Sequence, residues 1–194
     1  MSESPWKEFV EKTKERGPRP LLVKALALVH DKDEALDLGA GALNDSKYLL
    51  EQGFKHVTAV DKENLAENLM GDLPKDQLSY SISSFEDFNF PEDTFDLINA
   101  QFSLPFIQPS EFQRVFSSMK QSLKPAGIFV GQLFGVNDDW SKNPNMSFHT
   151  REQVGQLLAG MEVVELKEEE KDEKPVVGKL KHWHVFHIIA RAKS

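Results

Sequence analysis

Four residues carry the first chemical signal: Asp37, Gly39, Gly41 and Asp61. The two glycines, one residue apart in ALDLGAG, let the backbone turn sharply and approach a ligand, because neither bears a Cβ. Asp61 closes the next apolar stretch, HVTAVD, and an acid there is well placed to accept hydrogen bonds from ribose hydroxyls. Together they describe a nucleoside-cofactor site. A second signal is histidine. His149, His182, His184 and His187 could act as general bases if a bound acceptor must lose a proton. Alternation along a strand puts His182 and His184 on one face, and Trp183 and His187 on the other. A His-x-His pair on a strand can share a metal, here with His149 as a third ligand. With no cysteine and no acid signature beside them, no metal site is read.

The elements that hold these residues follow from patterning. Ala35 to Leu38 reads as a buried strand, and Asn44 or Asp45 can cap the helix after the glycine turn. That helix exposes unpaired N–H groups to a polar ligand. The helix near Asp45 to Gln52 ends at Gly53, and His56 to Val60 forms the second strand. A helix over Lys62 to Met70, a third strand over Leu78 to Ser83 and a fourth over Phe95 to Ile98 follow. The fourth is nearly all apolar, as a parallel strand buried on both faces must be. Ser110 with Gln113 makes a capping box for a helix whose Phe112, Val115, Phe116, Met119 and Leu123 fall at helical spacing. A fifth strand covers Ile128 to Phe134, and Gly135 to His149 forms an ordered lid. Thr150 with Gln153 caps the next helix. A sixth strand lies near Met161 to Leu166, and KEEEKDEKPVVG reads as a solvated hairpin tip before the last strand, His182 to Ala190. Two N-terminal helices, one opening at Ser4-Pro5 and one at Pro20, complete the chain.

Composition bounds the rest. At 194 residues the chain suits one domain, 1–194, with a sizeable core. No cysteine means no disulfide framework, thiolate metal site or cysteine nucleophile. The net charge of −8 argues against a nucleic-acid partner, which would call for a basic footprint. The first residues, MSESPWKEF, lack a basic start and an apolar core, and no apolar run approaches membrane-spanning length. The expectation is a cytoplasmic enzyme without a membrane partner.

ALDLGAG resembles motif I of class I S-adenosylmethionine (SAM) methyltransferases: an apolar residue, an acid, an apolar residue, then Gly-x-Gly-x-Gly. The third glycine of that pattern is Leu43 here. A dinucleotide fingerprint would instead want glycine at Asn44 and usually lacks the strand pair that ends this chain. LKPAG resembles the family's LKPGG turn, and Asn99 to Phe102 stand where the fourth strand ends. The missing prolines after Asn99 speak against the subclass that methylates nucleic-acid or glutamine amino groups. LDLGAGALNDSKYLLEQGF, AQFSLPFI, GQLFG, SFHTRE and KHWHVFHI look like blocks of a bacterial, tellurite-resistance-like subgroup of small-molecule methyltransferases.

The resemblance implies an α/β, Rossmann-like, seven-stranded fold. Its sheet is mostly parallel with an antiparallel C-terminal strand pair, and helices cover both faces. Residues 1–30 would lie over the cofactor. SAM contacts, with S-adenosylhomocysteine (SAH) as product, would fall on Asp37, Gly39, Ala40, Gly41, Asp61, Ser84, Phe85 and Asn99. The neighbouring Lys62, Glu86 and Ala100 would join them, Asp45 would order the loop, and Arg19 would reach the methionine carboxylate. Gln101, Phe102, Phe148 and Trp183 would border a small-molecule acceptor, with His149 and His184 as candidate bases. The expected activity is methyl transfer by in-line displacement in a monomer or homodimer. The alternatives are a SAM- or SAH-binding sensor or inactive partner subunit, and a nicotinamide enzyme.

Overall fold

The computed structural model describes residues 5–64, 69, 71 and 73–193. Two short helices, α1 (Pro5–Thr13) and α2 (Pro20–Leu26), lead into β1 (Glu34–Leu38). Then come α3 (Asn44–Glu51), β2 (His56–Asp61), β3 (Leu78–Ile82) and β4 (Phe95–Ala100). The second half holds α4 (Pro109–Gln121), β5 (Leu123–Gly135), β6 (Phe148–His149), α5 (Arg151–Leu157), β7 (Met161–Glu173) and β8 (Lys181–Ala192). The sheet runs β3-β2-β1-β4-β5-β8-β7, with the two-residue β6 added at the end of β5. The strands from β3 to β5 pair in parallel, and β8 is antiparallel to both β5 and β7. This is the class I methyltransferase fold, with the antiparallel C-terminal pair its sequence predicts.

Each face of the sheet buries its own core. On one side Phe112, Phe116 and Met119 of α4 and Val154 of α5 pack on Leu36, Leu38, Ile98 and Phe129. On the other, Leu22 and Ala25 of α2 and Leu49 of α3 pack on Ala35, Val57, Leu97 and Val130. Every residue of β4 is buried, which explains its apolar run. A third cluster of Phe134, Met146 and Val185, with Phe102, Phe106, Trp140, Phe148 and Trp183 against it, sits past the carboxyl ends of β4 and β5.

Several local expectations need correction. Neither Asn44 nor Asp45 caps α3: Leu43 stands at the N-cap at φ 61°, and Asn44 Nδ2 donates to the Thr13 carbonyl at 2.7 Å. The capping box at Ser110 does not form, because Pro109 starts α4 one residue earlier and Gln108 makes no side-chain cap. Thr150 and Gln153 do form theirs, with both reciprocal bonds present. The charged run is not a solvated tip. β7 continues through Glu173 as an edge strand paired along its length with β8, so the tip is residues 174–180. Phe148-His149, expected as the end of an ordered lid, forms the two-residue strand β6, paired in parallel with the end of β5. The helix expected over Lys62 to Met70 falls largely outside the described residues, as does Ser4. No helix among the described residues is long and apolar enough to cross a membrane.

Candidate functional site

A cavity of about 920 Å³ opens past the carboxyl ends of the parallel strands, where ligands of such sheets bind. The glycine turn forms its floor. Gly39 stands at φ 78° and Gly41 at φ 48°, a region closed to most other residues. A Cβ on Gly39 would also overlap Ser103 Cβ, and Ser103 is itself fixed by donating to the Leu38 carbonyl at 2.6 Å. The Gly39 N–H donates to the Val60 carbonyl, tying the turn to β2. Asp61, at the end of β2, accepts the Gly41 N–H at 2.9 Å and the Glu63 N–H at 3.0 Å. Each carboxylate oxygen keeps acceptor capacity for a ligand, and Asp61 faces the cavity.

A smaller recess of about 40 Å³ lies beside the turn, lined by Arg19, Asp37, Ala40, Asp45 and Gln101 among others. Asp37 is buried, accepting from Ser46 Oγ at 2.5 Å and Asn99 Nδ2 at 2.8 Å. Burial, then the nearby Asp45 charge, holds its pKa above the usual carboxyl range. Asp45 is also buried; it accepts the Arg19 backbone N–H at 2.9 Å and a long 3.4 Å contact from Asn99. The Arg19 guanidinium lies 4.8 Å over the Phe102 ring, and its buried Nε has no hydrogen-bond partner among the described residues. Burial, with help from Arg16, lowers its pKa to about 10, so it stays charged at neutral pH. An unpaired guanidinium N–H and two buried carboxylates around one recess suit the carboxylate and ammonium of an amino-acid group.

Most expected cofactor residues meet at this cavity. Arg19, Gly39, Gly41, Asp61, Lys62, Ser84, Phe85 and Glu86 line it, and Ala40, Asp37 and Asp45 line the recess. Two do not. Asn99 and Ala100 are fully buried at the end of β4, beneath the floor, and the chain reaches the cavity only from Gln101. Asn99 instead begins an amide relay: Gln101 Nε2 donates to its Oδ1 at 2.8 Å, and Gln132 Nε2 donates to Gln101 Oε1 at 2.9 Å. Gln132 Oε1 then accepts the Phe102 N–H at 3.0 Å, with Phe102 at φ 58°. The Ser84 hydroxyl is engaged by Asp87, to which it donates at 2.7 Å.

The far half of the cavity is aromatic. Gln101, Phe102 and Trp183 line it, joined by Phe106, Phe134, Trp140, Met146, Val185 and His187. The hairpin tip, from Lys174 to Val177, closes over it. Phe148 does not line it; the ring packs behind Phe134, centroids 6.3 Å apart. Both candidate bases are misplaced by the sequence reading. His149 points away, its ring 4.4 Å from Phe112 with a buried, unpartnered Nε2, and burial pushes its pKa down to about 4. His184 is on the other face of β8. Its Nδ1 accepts the Asn137 N–H at 3.2 Å and its Nε2 pairs with Glu168 at 2.9 Å. Gly135 must be glycine, because the His184 ring occupies the space of its Cβ. Pairing of β7 with β8 also brings Glu168 and Glu170 within metal-ligand distance of His184, acids that sequence separation hid. Each already has a protein partner in Arg151, Asn137 or His182. Of the four histidines weighed as bases, His187 is the one that lines the cavity, on the face of β8 that the alternation assigns to it and Trp183.

Comparison with known proteins agrees with the fold. Residues 36–131 match the family model described as a methyltransferase domain. TehB from Haemophilus influenzae superposes with a TM-score of 0.78 at 19% identity, covering 96% of this chain and 67% of that one. The N-methyltransferase NodS from Bradyrhizobium japonicum, solved with SAH, superposes at 0.69 and 15% identity over 98% of this chain and 100% of that one. The rat (Rattus norvegicus) mitochondrial arginine-hydroxylase NDUFAF5 is 30% identical over 111 residues, 56% of this chain. The match spans about three tenths of that protein's length, 31%.

Proposed function

We propose that this protein binds SAM and transfers its methyl group to a small-molecule acceptor. The observation that carries the reading is Asp61, held under the glycine turn by the Gly41 N–H with its carboxylate open to the cavity. Asp61 would take the ribose hydroxyls, and the Phe85 segment the adenine. The recess of Arg19, Asp37 and Asp45 would take the amino-acid end. The cofactor, when bound, supplies a methyl group on a sulfonium that leaves as a neutral thioether. The protein contributes orientation, exclusion of water by α1 and the hairpin tip, and a pocket for the acceptor. The match of residues 36–131 to a methyltransferase domain supports this reading over a nicotinamide enzyme. The finer assignment, to the tellurite-resistance-like subgroup, rests on the sequence blocks quoted above.

Calorimetric titration with SAM and with NAD separates the cofactors. The reading expects saturable SAM binding and none for NAD; NAD binding without SAM binding would overturn it. SAH release against a panel of small metabolites then separates an enzyme from a sensor that binds without turnover.

A further inference from the structure

The aromatic half of the cavity holds a histidine with an uncommitted ring. His56, His182 and His184 each have both ring nitrogens hydrogen-bonded. His187 has no such bond among the described residues. Glu169 on β7 stands with Oε2 3.6 Å from Nε2, and the same oxygen accepts from Nζ of Lys167, the residue opposite His187 on β7, at 2.8 Å. The ring stands 6.4 Å from that of Phe102 at 83°, and both line the cavity with Trp183 and Val185. Opposite on β5 is the uncharged Gln132.

Aromatic and apolar side chains make up much of the rest of the lining, beside the charged Arg19, Asp139, Lys171, Glu173 and Lys174. Phe102, Phe106, Phe134, Trp140 and Trp183 all line the cavity, and a cluster of aromatic rings suits a planar aromatic guest. Lys181, 3.6 Å from the Trp140 centroid, pairs with Asp138 and does not line the cavity; of the cations that do, Arg19 lies 4.8 Å over the Phe102 ring.

We infer that this half of the cavity takes a planar aromatic acceptor bearing an ionisable hydroxyl, and that His187 removes the hydroxyl proton while Glu169 positions its ring. The inference rests on the methyl-transfer reading above. The imidazole lone pair at Nδ1 takes the proton, and the O–H bond pair stays on oxygen as the nucleophile. Glu169, facing Nε2–H, balances the imidazolium. Burial lowers the His187 pKa most; Glu169 raises it, Lys167 and Lys171 lower it, and Glu165 raises it. The net shift is downward, so the ring is neutral, and able to accept a proton, at neutral pH.

4-Nitrophenol serves as the probe, because its phenolate absorbs visible light where the phenol does not. It is titrated into wild type saturated with SAH, at a pH where the free probe is mostly protonated. Wild type should bind it and show the phenolate band. His187→Asn should weaken binding about tenfold or more and lose the band. Glu169→Gln should bind within about threefold of wild type with a smaller phenolate fraction. Both variants should bind SAM within about twofold of wild type by calorimetry, which excludes misfolding as the cause. A wild type that binds SAH but gives no phenolate band overturns the inference, as does a His187→Asn variant that keeps the band. A wild type that binds neither SAM nor SAH overturns the methyl-transfer reading and this inference with it.

Discussion

Gly39 is constrained from two sides: its φ of 78° and Ser103, which stands where a side chain would go. From the sequence, the glycine follows from a sharp turn and a ligand's close approach. The neighbour is 64 residues away in the chain and could not be seen there. Gly39→Ala should therefore destabilise the free protein, by about 1–3 kcal/mol in urea unfolding. Ser103→Gly removes the overlapping Cβ. The double variant should be more stable than the sum of the two single losses predicts, by at least about 0.5 kcal/mol. Strict additivity would mean that Ser103 is not the obstacle. His149 makes a second residue-scale case. Its folded pKa of about 4 lies below the ordinary 6.5 because its buried ring resists charging. As pH falls, the unfolded chain takes up this proton first, so stability present above about 6.5 is lost toward 4. His149→Phe keeps the packing against Phe112 and removes the proton site. Its melting temperature should gain on wild type as pH drops from 7.5 to 4.5. A pH-independent difference would show that the ring is not buried neutral.

Among the elements, β7 and the loop before β6 were hardest to read. The run from Lys167 to Glu173 has a solvated composition, yet it is a strand, because β8 supplies backbone partners and its charges pair with each other and with the histidines. Pairing of this kind depends on a partner strand, which local composition does not reveal. The loop over residues 136–147 is ordered by a buried acid. Asp138 accepts the Trp140 N–H at 2.9 Å and the His184 N–H at 3.2 Å, and it pairs with Lys181. Lys181 in turn lies 3.9 Å from the Trp183 centroid. Asp138→Ala orphans all three donors and should cost about 3–5 kcal/mol. Lys181→Met leaves Asp138 with both N–H donors and fills similar volume, so it should cost less. Thermal unfolding of the two variants checks the order; equal or negligible losses would show that the pair does not anchor the loop.

For the whole molecule, the half of the cavity around the glycine turn is legible in the sequence, and the aromatic half only in part. Glycines at positive φ, an acid ending β2 and apolar parallel strands leave local signatures, so the fold and most residues around the glycine turn follow from the chain. Asn99 was misjudged, since a strand-end residue can be buried under the floor as easily as exposed above it. The aromatic wall gathers residues from α1, the loop after β4, the loop after β5 and the final hairpin. Its membership depends on parity and long-range packing, which placed His187 inside and left His149 and His184 outside. The central claim is that the cavity floor is a SAM site read by Asp61. Calorimetric titration of SAM into wild type and Asp61→Ala, well below the melting temperature of each, tests it most directly. The variant also loses the acceptor for the Gly41 and Glu63 N–H groups, so some loss of thermal stability is expected alongside. Wild type should bind one SAM per chain, and Asp61→Ala should bind at least about tenfold more weakly, the worth of a charge-assisted ribose contact. Equal affinity in the folded variant, or no SAM binding by wild type, would contradict the account.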